Sequence, residues 1–385
     1  MSPHLVHIFE VLAALGAISS IAYYCLCLWG AAAFLRERHL TESSSQAEPA
    51  VSILKPLKGT DPEMYESFRS HCLLDYPEYE IIFGVSDPSD PAIALVERLQ
   101  REFPERSIQL VICRERLGTN IKVSNLAQML AYASHDYLVV NDSDIRVETN
   151  YLRSVISPLL SGAGMVTCMY RGVAAPTMGS RMESVGISTD FIAGVLAARQ
   201  LEGIHFGLGS TLAFRRQELQ AIGGFEVLVD YLADDYELGK RISGLGKTVQ
   251  LSSSVVETFL PPYTFGAFVR HQLRWARSTR DSRRWGYVGL ALTFGIPWAL
   301  VALLLSRSTW ALLLFLVTLC MRMLVGLMVG GKIVKDRQLL GTIWLVPLRD
   351  LVALFVWIAS FAGHTVAWRG DSFLLKNGKL ARLSS

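Results

Sequence analysis

In Tyr137-Leu-Val-Val-Asn-Asp-Ser-Asp144 a short apolar run, typical of a buried strand, passes directly into two aspartates. Three more apolar runs precede it, separated by helical patterns: the runs are 51–54, 80–85 and 108–113, and the helical patterns are 61–74, 91–103 and 122–134. Strands that alternate with helices over short connections predict an α/β fold, with helices on both faces of a parallel sheet. We expect ligands to bind beyond the carboxyl ends of these strands.

Carboxylates follow two of the predicted strands. If the segment after Val140 is extended, Asp142 and Asp144 point the same way and offer oxygen ligands to one divalent cation, Mg²⁺ or Mn²⁺. The alternative is an aspartate-rich turn that caps the next helix. Asp87 follows the second run. Its carboxylate either accepts hydrogen bonds from a ribose or uracil ring or forms a turn. Asp61 is the expected cap of the first helix.

A third acidic cluster, LADDYELG at 232–239, has two interpretations. Adjacent acids at the start of a helix stabilise the helix dipole. Crowded in a cleft, Asp234 and Asp235 raise each other's pKa, which suits a general base. Lys122 either supplies a cation in front of a helix or belongs to a plain capped loop, and residues 207–211 (GLGST) bring backbone close to a sugar or form a tight turn.

Composition indicates a membrane protein with a polar part. The chain has 385 residues, of which 51% are hydrophobic and 18% charged. Residues 11–35 carry no charge and are long enough to cross a bilayer. Arg36 and Arg38 follow this anchor and place the next segment in the cytoplasm. The net charge of +3 is spread along the chain, so we expect no nucleic-acid partner.

Three more apolar stretches lie near 286–305, 310–330 and 339–363. Four crossings would leave both termini outside, whereas the basic tail at 366–385 favours the inside, so the number of crossings stays open at this point. The third stretch contains Arg349-Asp350 and is alternatively a re-entrant or interfacial hairpin.

A basic and aromatic helix precedes these stretches. His271, Arg274 and Trp275 fall at i, i+3 and i+4, so they share one helix face. This face either grips a diphosphate or anchors the helix at the depth of the lipid headgroups. Residues 185–200 are a second candidate for lipid contact, with a buried core helix as the alternative.

Taken together, these motifs resemble those of the ceramide glucosyltransferase family, which has a GT-A nucleotide-sugar fold. The resemblance covers residues 51–275 and continues weakly through the C-terminal membrane segments. It rests on motifs in the family's order: LLDYPEYE at 73–80, GVSDPSDPAI at 84–93, GTNIKVSNL at 118–126, NDSDIRV at 141–147, DYLADDYELGK at 230–240 and HQLRW at 271–275. Several of these stretches are also similar to bacterial hopanoid-biosynthesis glycosyltransferases, which glycosylate a bacteriohopane polyol.

The resemblance implies a role for each acidic motif. Asp87, Asp142 and Asp144 correspond to the family's donor-binding aspartates, with the last two as metal ligands. Asp235, which precedes a tyrosine, corresponds to the family's general base. Lys122 lies in a matching motif on the donor side.

The family's last motif is Gln or Arg, two residues, then Arg-Trp. Arg274 and Trp275 match it, and the resemblance implies that they bind the donor diphosphate. His271 takes the first position and departs from the pattern, since it keeps a donor but lacks the arginine fork.

The resemblance also implies a reaction. A hexose, glucose or N-acetylglucosamine, passes from a UDP-sugar to a hydroxyl of a membrane lipid with inversion, and the lipid is ceramide or a hopanoid polyol. The implied location is the bacterial inner membrane, in a multi-pass protein with a cytoplasmic catalytic domain. Two rivals remain, a processive polysaccharide synthase, which needs enough crossings to line a polymer channel, and an inactive nucleotide-sugar-binding membrane protein.

The expected organisation is an α/β GT-A (Rossmann-like) domain flanked by transmembrane helices. Its segments are an N-terminal transmembrane anchor (1–36), a linker (37–49), a cytoplasmic GT-A domain (50–263), an interfacial helix (264–285), C-terminal transmembrane segments (286–365) and a tail (366–385).

Overall fold

The computed structural model describes residues 2–40, 47–368 and 371–382, so residues 41–46 of the predicted linker and Arg369 of the tail lie outside the described residues. The helices are α1 (Pro3–Leu40), α2 (Met64–Cys72), α3 (Ala92–Glu102), α4 (Ile121–Met129), α5 (Tyr151–Leu160), α6 (Met178–Gly186), α7 (Ile192–Glu202), α8 (Arg216–Ala221), α9 (Asp234–Gly244), α10 (Phe265–Ser282), α11 (Arg284–Gly289), α12 (Gly295–Ser306), α13 (Thr309–Gly326), α14 (Leu339–Thr342) and α15 (Val346–Ser360). The strands are β1 (Val51–Pro56), β2 (Tyr79–Val85), β3 (Ser107–Ile112), β4 (Tyr137–Val140), β5 (Ile145–Arg146), β6 (Met165–Val173), β7 (Leu212–Arg215), β8 (Val249–Phe259), β9 (Thr365–Trp368), β10 (Asp371–Lys376) and β11 (Lys379–Arg382).

The chain divides into two compact units. The sheet unit comprises Leu40–Val173, Gly203–Pro261 and Ser372–Ser385. The helical unit comprises Met1–His39, Ala174–Glu202 and Pro262–Asp371.

An eight-stranded sheet forms the centre of the sheet unit, in the order β3-β2-β1-β4-β7-β6-β8-β5. β3, β2, β1 and β4 run parallel, as the sequence predicts. β1 and β2 are buried along their whole length, as strands covered on both faces are. The prediction of a parallel sheet is wrong for the other half, however, because β7 runs antiparallel to both β4 and β6, and β5 runs antiparallel to β8.

This reversal places the turn before β7 beside the acidic loop after β4. Val140, the last residue of β4, pairs with Leu212, the first residue of β7. An antiparallel neighbour begins where its partner ends, so residues 207–211 lie at the same sheet edge as Asp142. The side-chain amide of Asn141 fixes the contact by donating to the backbone oxygen of Ser210 at 2.8 Å.

The first helix of the sheet unit begins later than the pattern predicts. α2 starts at Met64, after Glu63 with a φ of 53°, so Asp61 is not its cap. The Asp61 carboxylate instead accepts a hydrogen bond from the Ser143 hydroxyl at 2.6 Å. Ser143 belongs to the loop after β4, so the sequence around Asp61 could not indicate this partner.

The last described residues form a β-hairpin in the sheet unit. β10 and β11 pair antiparallel, and Asn377 and Gly378 make the turn with φ values of 52° and 78°. Two successive positive φ values are typical of the tight hairpin turns that favour Asn-Gly. Leu232 N donates to Gly378 O at 3.1 Å, and Leu380 N donates to Asp230 O at 2.8 Å. The hairpin therefore pairs with the segment that precedes α9.

Within the described part of the chain, three helices are long and apolar enough to cross a membrane: His4–Arg38, Thr309–Ile333 and Leu339–Ser360. Arg284–Thr293 and Gly295–Ser306 form a further candidate that is bent by 48°, as a broken span or a re-entrant loop would be. The stretch predicted near 286–305 is thus interrupted, at Phe294, between α12 and the short helical segments before it.

Candidate active site

The end of β4 is held in place by a buried amide. Asn141 is fully buried, and its Nδ2 donates to the Tyr151 hydroxyl at 2.9 Å as well as to Ser210. Its backbone N–H donates to Leu54 O at 3.1 Å, which continues the ladder between β1 and β4. The loop that carries Asp142 and Asp144 therefore starts from a fixed point.

Asp142 lies among cations and carboxylates. Its Oδ1 is 2.7 Å from Lys122 Nζ, and the same ammonium is 3.3 Å from Asp234 Oδ2. Although burial opposes the charge of Lys122, Asp142 and Asp234 raise its pKa above the usual range. Lys122 therefore connects the acidic loop after β4 with the acidic start of α9. Lys122, Asp142 and Asp234 are all residues that the sequence indicated as candidates.

Lys55 is a contributor that the sequence analysis missed. Its side chain is fully buried, and its Nζ donates to the backbone oxygen of Asp142 at 2.9 Å. Burial lowers the pKa of Lys55 to about 7, against the attraction of Asp144 and Asp142. A lysine that ends an apolar strand is the signal that could have identified it.

Asp144 does not follow the expected extended geometry. Ser143 and Asp144 form a turn, and the Ser143 hydroxyl bonds to Asp61. The Asp144 carboxylate accepts a hydrogen bond from the Thr258 hydroxyl of β8. Burial raises the pKa of Asp144 to about 6, and the charge of Asp142 adds to this effect. The two aspartates of the triplet thus have different partners.

Asp235 and Asp142 face the same small space. A Cβ on Gly209 would lie 3.2 Å from Asp235 Oδ2 and 3.4 Å from Asp142 Oδ2. Leu208 and Thr211 bridge across this residue in a tight turn, and Gly207 N donates to Asp235 O at 3.1 Å. The glycine leaves room between the two carboxylates that any side chain would fill.

The environment of Asp235 suits a base that works near neutral pH. Asp235 is the second residue of α9, and its Oδ1 accepts a hydrogen bond from Tyr236 N at 2.8 Å. Burial and then the charge of Asp234 raise the pKa of Asp235, Lys122 opposes both, and the net pKa is about 7. A carboxylate that is half ionised at pH 7 can accept a proton from a hydroxyl group during a reaction.

The acidic loop fits a divalent cation that takes part of its coordination from a ligand. The Asp142 side chain is 40% exposed, and its Oδ2 faces the space at Gly209. Among the described residues, no group of three or more His, Cys, Asp and Glu side chains is arranged as a complete metal site. Because hard cations need about six oxygens, a diphosphate and water would have to supply the rest.

Asp87 lies at the carboxyl end of β2, the neighbour of β1 in the parallel half of the sheet. Its exposed carboxylate accepts hydrogen bonds from Ser89 Oγ at 2.6 Å and Ser89 N at 2.8 Å. These two bonds lower the pKa of Asp87. Its geometry is that of a turn former, and its contact with a nucleoside stays a prediction.

His271, Arg274 and Trp275 belong to α10 of the helical unit and are half-buried. The His271 ring stacks on Tyr263 with centroids 5.4 Å apart, and it lies 5.4 Å from the Trp275 ring. Trp275 in turn meets Phe191 edge-on at 6.0 Å. The predicted common face exists, and its contact with a diphosphate stays a prediction.

Comparisons with known proteins agree on one family. The model of glycosyl transferase family 21 matches residues 12–381. The chain is 23% identical to ceramide glucosyltransferase 3 of Caenorhabditis elegans, over 86% of this chain and 73% of that protein. It is 34% identical to the ceramide glucosyltransferase of Candida albicans, over 28% of this chain and 22% of that protein.

One solved structure supports the fold. The chain is similar to the mannosyltransferase PcManGT of Pyrobaculum calidifontis, solved in complex with GDP-Man and Mn²⁺. The TM-score is 0.52 at 15% identity, over 90% of this chain and 99% of that chain. At this identity the likeness shows the fold alone, which is the GT-A fold that the sequence predicts.

Proposed function

The chain belongs to glycosyl transferase family 21, and from this membership we propose that it transfers a hexose from a UDP-sugar to a hydroxyl of a membrane lipid, with inversion. The family makes it a sugar-transferring enzyme. The observation that carries the proposal is the space at Gly209, which the carboxylates of Asp142 and Asp235 both face. It brings a proposed donor-binding acid and the proposed base to the same edge of the sheet.

The relatives guide the choice of acceptor. Proteins named ceramide glucosyltransferases in Caenorhabditis elegans and Candida albicans are similar to this chain, which supports a lipid hydroxyl as the acceptor. Ceramide and a hopanoid polyol such as bacteriohopanetetrol are the two acceptors that we propose. Glucose and N-acetylglucosamine are the two candidate sugars.

On the donor side, Asp142 and Asp144 would hold Mg²⁺ or Mn²⁺, and Asp87 would accept hydrogen bonds from the nucleoside. When bound, the cation neutralises charge on the diphosphate that leaves. Lys122 adds a positive charge from the protein itself, since its ammonium lies 2.7 Å from Asp142. From the sequence motif, we also propose that His271, Arg274 and Trp275 bind the diphosphate.

Asp235 performs the proton transfer in this proposal. Its carboxylate takes the proton from the acceptor hydroxyl while the hydroxyl oxygen forms a bond to the anomeric carbon. The bond from that carbon to the UDP oxygen breaks on the opposite face, so an α-linked donor gives a β-glycoside. A base with a pKa of about 7 is suited to this step at neutral pH, and such catalysis supplies roughly 10²–10⁴-fold in rate.

The test uses membranes that contain the full-length protein. UDP-glucose, UDP-N-acetylglucosamine and UDP-galactose are each combined with ceramide or bacteriohopanetetrol, and the products are identified by mass spectrometry. We expect one lipid monoglycoside that the Asp235→Asn variant does not form. A glycan polymer would indicate a polysaccharide synthase instead, and UDP binding without any glycosylated lipid would indicate an inactive binding protein.

A further inference from the structure

A buried carboxylate lies beside His271 in the helical unit. The side chain of Glu183 in α6 is 1% exposed, and its Oε1 is 3.4 Å from Nδ1 of His271 in α10. Its other oxygen, Oε2, accepts a hydrogen bond from Gln272 Nε2 at 2.9 Å. The nearby residues Met182 and Val185 belong to a buried apolar cluster. A carboxylate in such surroundings is costly unless a cation pairs with it.

The arginines in this part of the unit have other partners. Arg349 Nη2 donates to Gln272 Oε1 at 2.8 Å, so the amide of Gln272 joins that guanidinium to Glu183. Two arginines of α10 donate to backbone oxygens at and after the end of α15: Arg277 and Arg280. Among the described residues, the basic side chain at ion-pair distance from Glu183 is that of His271. The carboxylate thus has a partner whose positive charge depends on a proton.

The His271 ring is held so that one nitrogen meets this carboxylate. Its Nδ1 is buried and has no hydrogen-bond partner among the described residues, since 3.4 Å from Glu183 is too long for a direct bond. The contact is therefore an attraction between charges, which is strong only if the imidazole is protonated. Tyr263 and Trp275 pack on the ring with centroids 5.4 Å from it. The second nitrogen, Nε2, lies on another edge of the ring and can meet a ligand.

We propose that Glu183 is a positioning residue for the donor, because its charge favours the imidazolium form of His271 when the diphosphate of a UDP-sugar binds. The inference rests on the proposed function, in which His271 contacts that diphosphate. An imidazolium has N–H groups on both nitrogens, so it can face the carboxylate with Nδ1 and donate to a phosphate oxygen with Nε2. The proton comes from solvent, and no other bond changes. The carboxylate thereby gives histidine the positive charge that an arginine would carry at this position by itself.

Proton uptake makes this role measurable. If the ring gains a proton when the donor binds, the heat of binding depends on the ionisation enthalpy of the buffer that supplies the proton. The coupling between proton and donor is reciprocal, so tighter binding and proton uptake must be lost together. A UDP-sugar is the suitable ligand, because each of its phosphates is bonded on two sides, whereas a terminal phosphate itself titrates at a pH of about 6. Asp235 could also take up a proton, so the quantity compared is the difference between variants.

The experiment is titration calorimetry of the full-length protein in lipid nanodiscs, with UDP-glucose and UDP-N-acetylglucosamine, a divalent cation and no acceptor. Glu183→Gln removes the charge but keeps an oxygen that can accept from Gln272 Nε2. We expect this variant to take up less than the wild-type fraction of a proton. Its Kd for the donor should rise about fivefold, since a charge-assisted hydrogen bond is roughly twice as strong as a neutral one. Glu183→Asp, which keeps the charge, should retain proton uptake.

A double-mutant cycle tests whether His271 transmits the effect. In the His271→Gln background, Glu183→Gln should change neither Kd nor proton uptake. His271→Arg is a second background, in which the permanent charge should likewise abolish the difference in proton uptake. Asp336→Asn is the matched control, because Asp336 is a carboxylate of the same unit that is 9% exposed and accepts from the Ser188 hydroxyl at 2.7 Å. It should bind the donor as the wild type does.

Each outcome bears on a different claim. Equal effects of Glu183→Gln with and without His271 would show that Glu183 serves packing alone. An unchanged Kd and proton uptake in Glu183→Gln would show that its charge has no role in donor binding. Either result overturns the inference even if sugar transfer is intact. Coupling between positions 183 and 271, in a protein that transfers no sugar to any acceptor, would support the inference and overturn the proposed function.

Discussion

In the proposed mechanism, Asp235 can act as the base only because the fold buries it beside Asp234. The pKa of a carboxyl group in water lies well below 7, so the ionised group is a weak base at neutral pH. Here burial, and then the charge of Asp234, raise the pKa of Asp235 to about 7. The sequence shows two adjacent acids, and the tertiary structure decides which of them faces Gly209.

The pH dependence of transfer follows from this pKa. The base must be ionised, so kcat/KM should rise with pH up to about 7 and level off above it. Well below that pH the rate should fall about tenfold per pH unit, because the ionised fraction falls by that factor. Asp235→Asn should lose transfer but still bind UDP, as measured by calorimetry. If Asp235→Asn keeps near-normal turnover, Asp235 is not the base, and Asp234 is the next candidate.

A side chain at position 209 should disturb the carboxylates of Asp142 and Asp235. In Gly209→Ala the new methyl group would lie 3.2–3.4 Å from Asp235 Oδ2 and Asp142 Oδ2. Contacts of this length make the carboxylates move by a few tenths of an ångström. Since a displacement of about 1 Å can cost 10²-fold, we expect kcat to fall by about tenfold. Steady-state rates measure kcat, and thermal unfolding of the same preparations checks that the variant is folded.

The control for that change is Gly244→Ala in the same unit, where a Cβ would meet nothing within 4 Å. It should keep wild-type kcat. Equal losses in both variants would show that glycine at 209 serves folding rather than the site.

At the scale of elements, the C-terminal hairpin supports the acidic start of α9. It pairs with residues 230–232 through two backbone hydrogen bonds. The Asp230 carboxylate then accepts hydrogen bonds from the backbone N–H and hydroxyl of Thr119, at 3.0 and 2.9 Å. Asn120 Nδ2 donates to Tyr231 O at 2.7 Å. The segments 119–120, 230–232 and 378–380, which are far apart in the sequence, are thus bonded to one another. They hold the residues just before Lys122 and just before Asp234 in place.

Gly378→Ala tests this support. Gly378 has a φ of 78°, and a Cβ there would lie 3.3 Å from the Tyr231 ring. We expect a loss of about 1 kcal/mol in the free energy of unfolding, and a fall in kcat because the loop shifts. Gly162→Ala is matched for backbone strain, with a φ of 101° and nothing within 4 Å of its Cβ. It should lose similar stability at unchanged kcat. A normal kcat in Gly378→Ala would limit the hairpin to a structural role.

At the scale of the whole molecule, the hairpin also bears on topology. The hairpin bonds to residues 230–232 through Gly378 and Leu380, so both segments lie on one side of the membrane. Between Pro261 and Ser372 the chain must therefore cross an even number of times. If Thr309–Ile333 and Leu339–Ser360 cross, the bent pair Arg284–Thr293 and Gly295–Ser306 does not. With the N-terminal helix we predict three crossings, an arrangement that would leave the basic tail on the same side as the sheet unit.

Single cysteines test the prediction. In a background without the natural cysteines, Ser2→Cys, Glu97→Cys and Lys376→Cys each place one thiol at an exposed position. Sealed vesicles of known orientation are treated with a membrane-impermeant maleimide. Positions 97 and 376 should react from one side and position 2 from the other. Reaction of 376 together with 2 would contradict the three-crossing arrangement.

The parallel half of the sheet, the N-terminal helix and the acidic motifs could be predicted from the sequence, because hydrophobic periodicity and strand ends are local properties. Of the predicted site, Asp142, Lys122 and Asp235 come together in the sheet unit. Three features could not be predicted in this way: the reversed direction of β7, the turn that directs Asp144 to Thr258, and the position of Gly209 beside two carboxylates. Each of these depends on partners distant in sequence, whose approach is set by strand pairing and burial rather than by any local pattern.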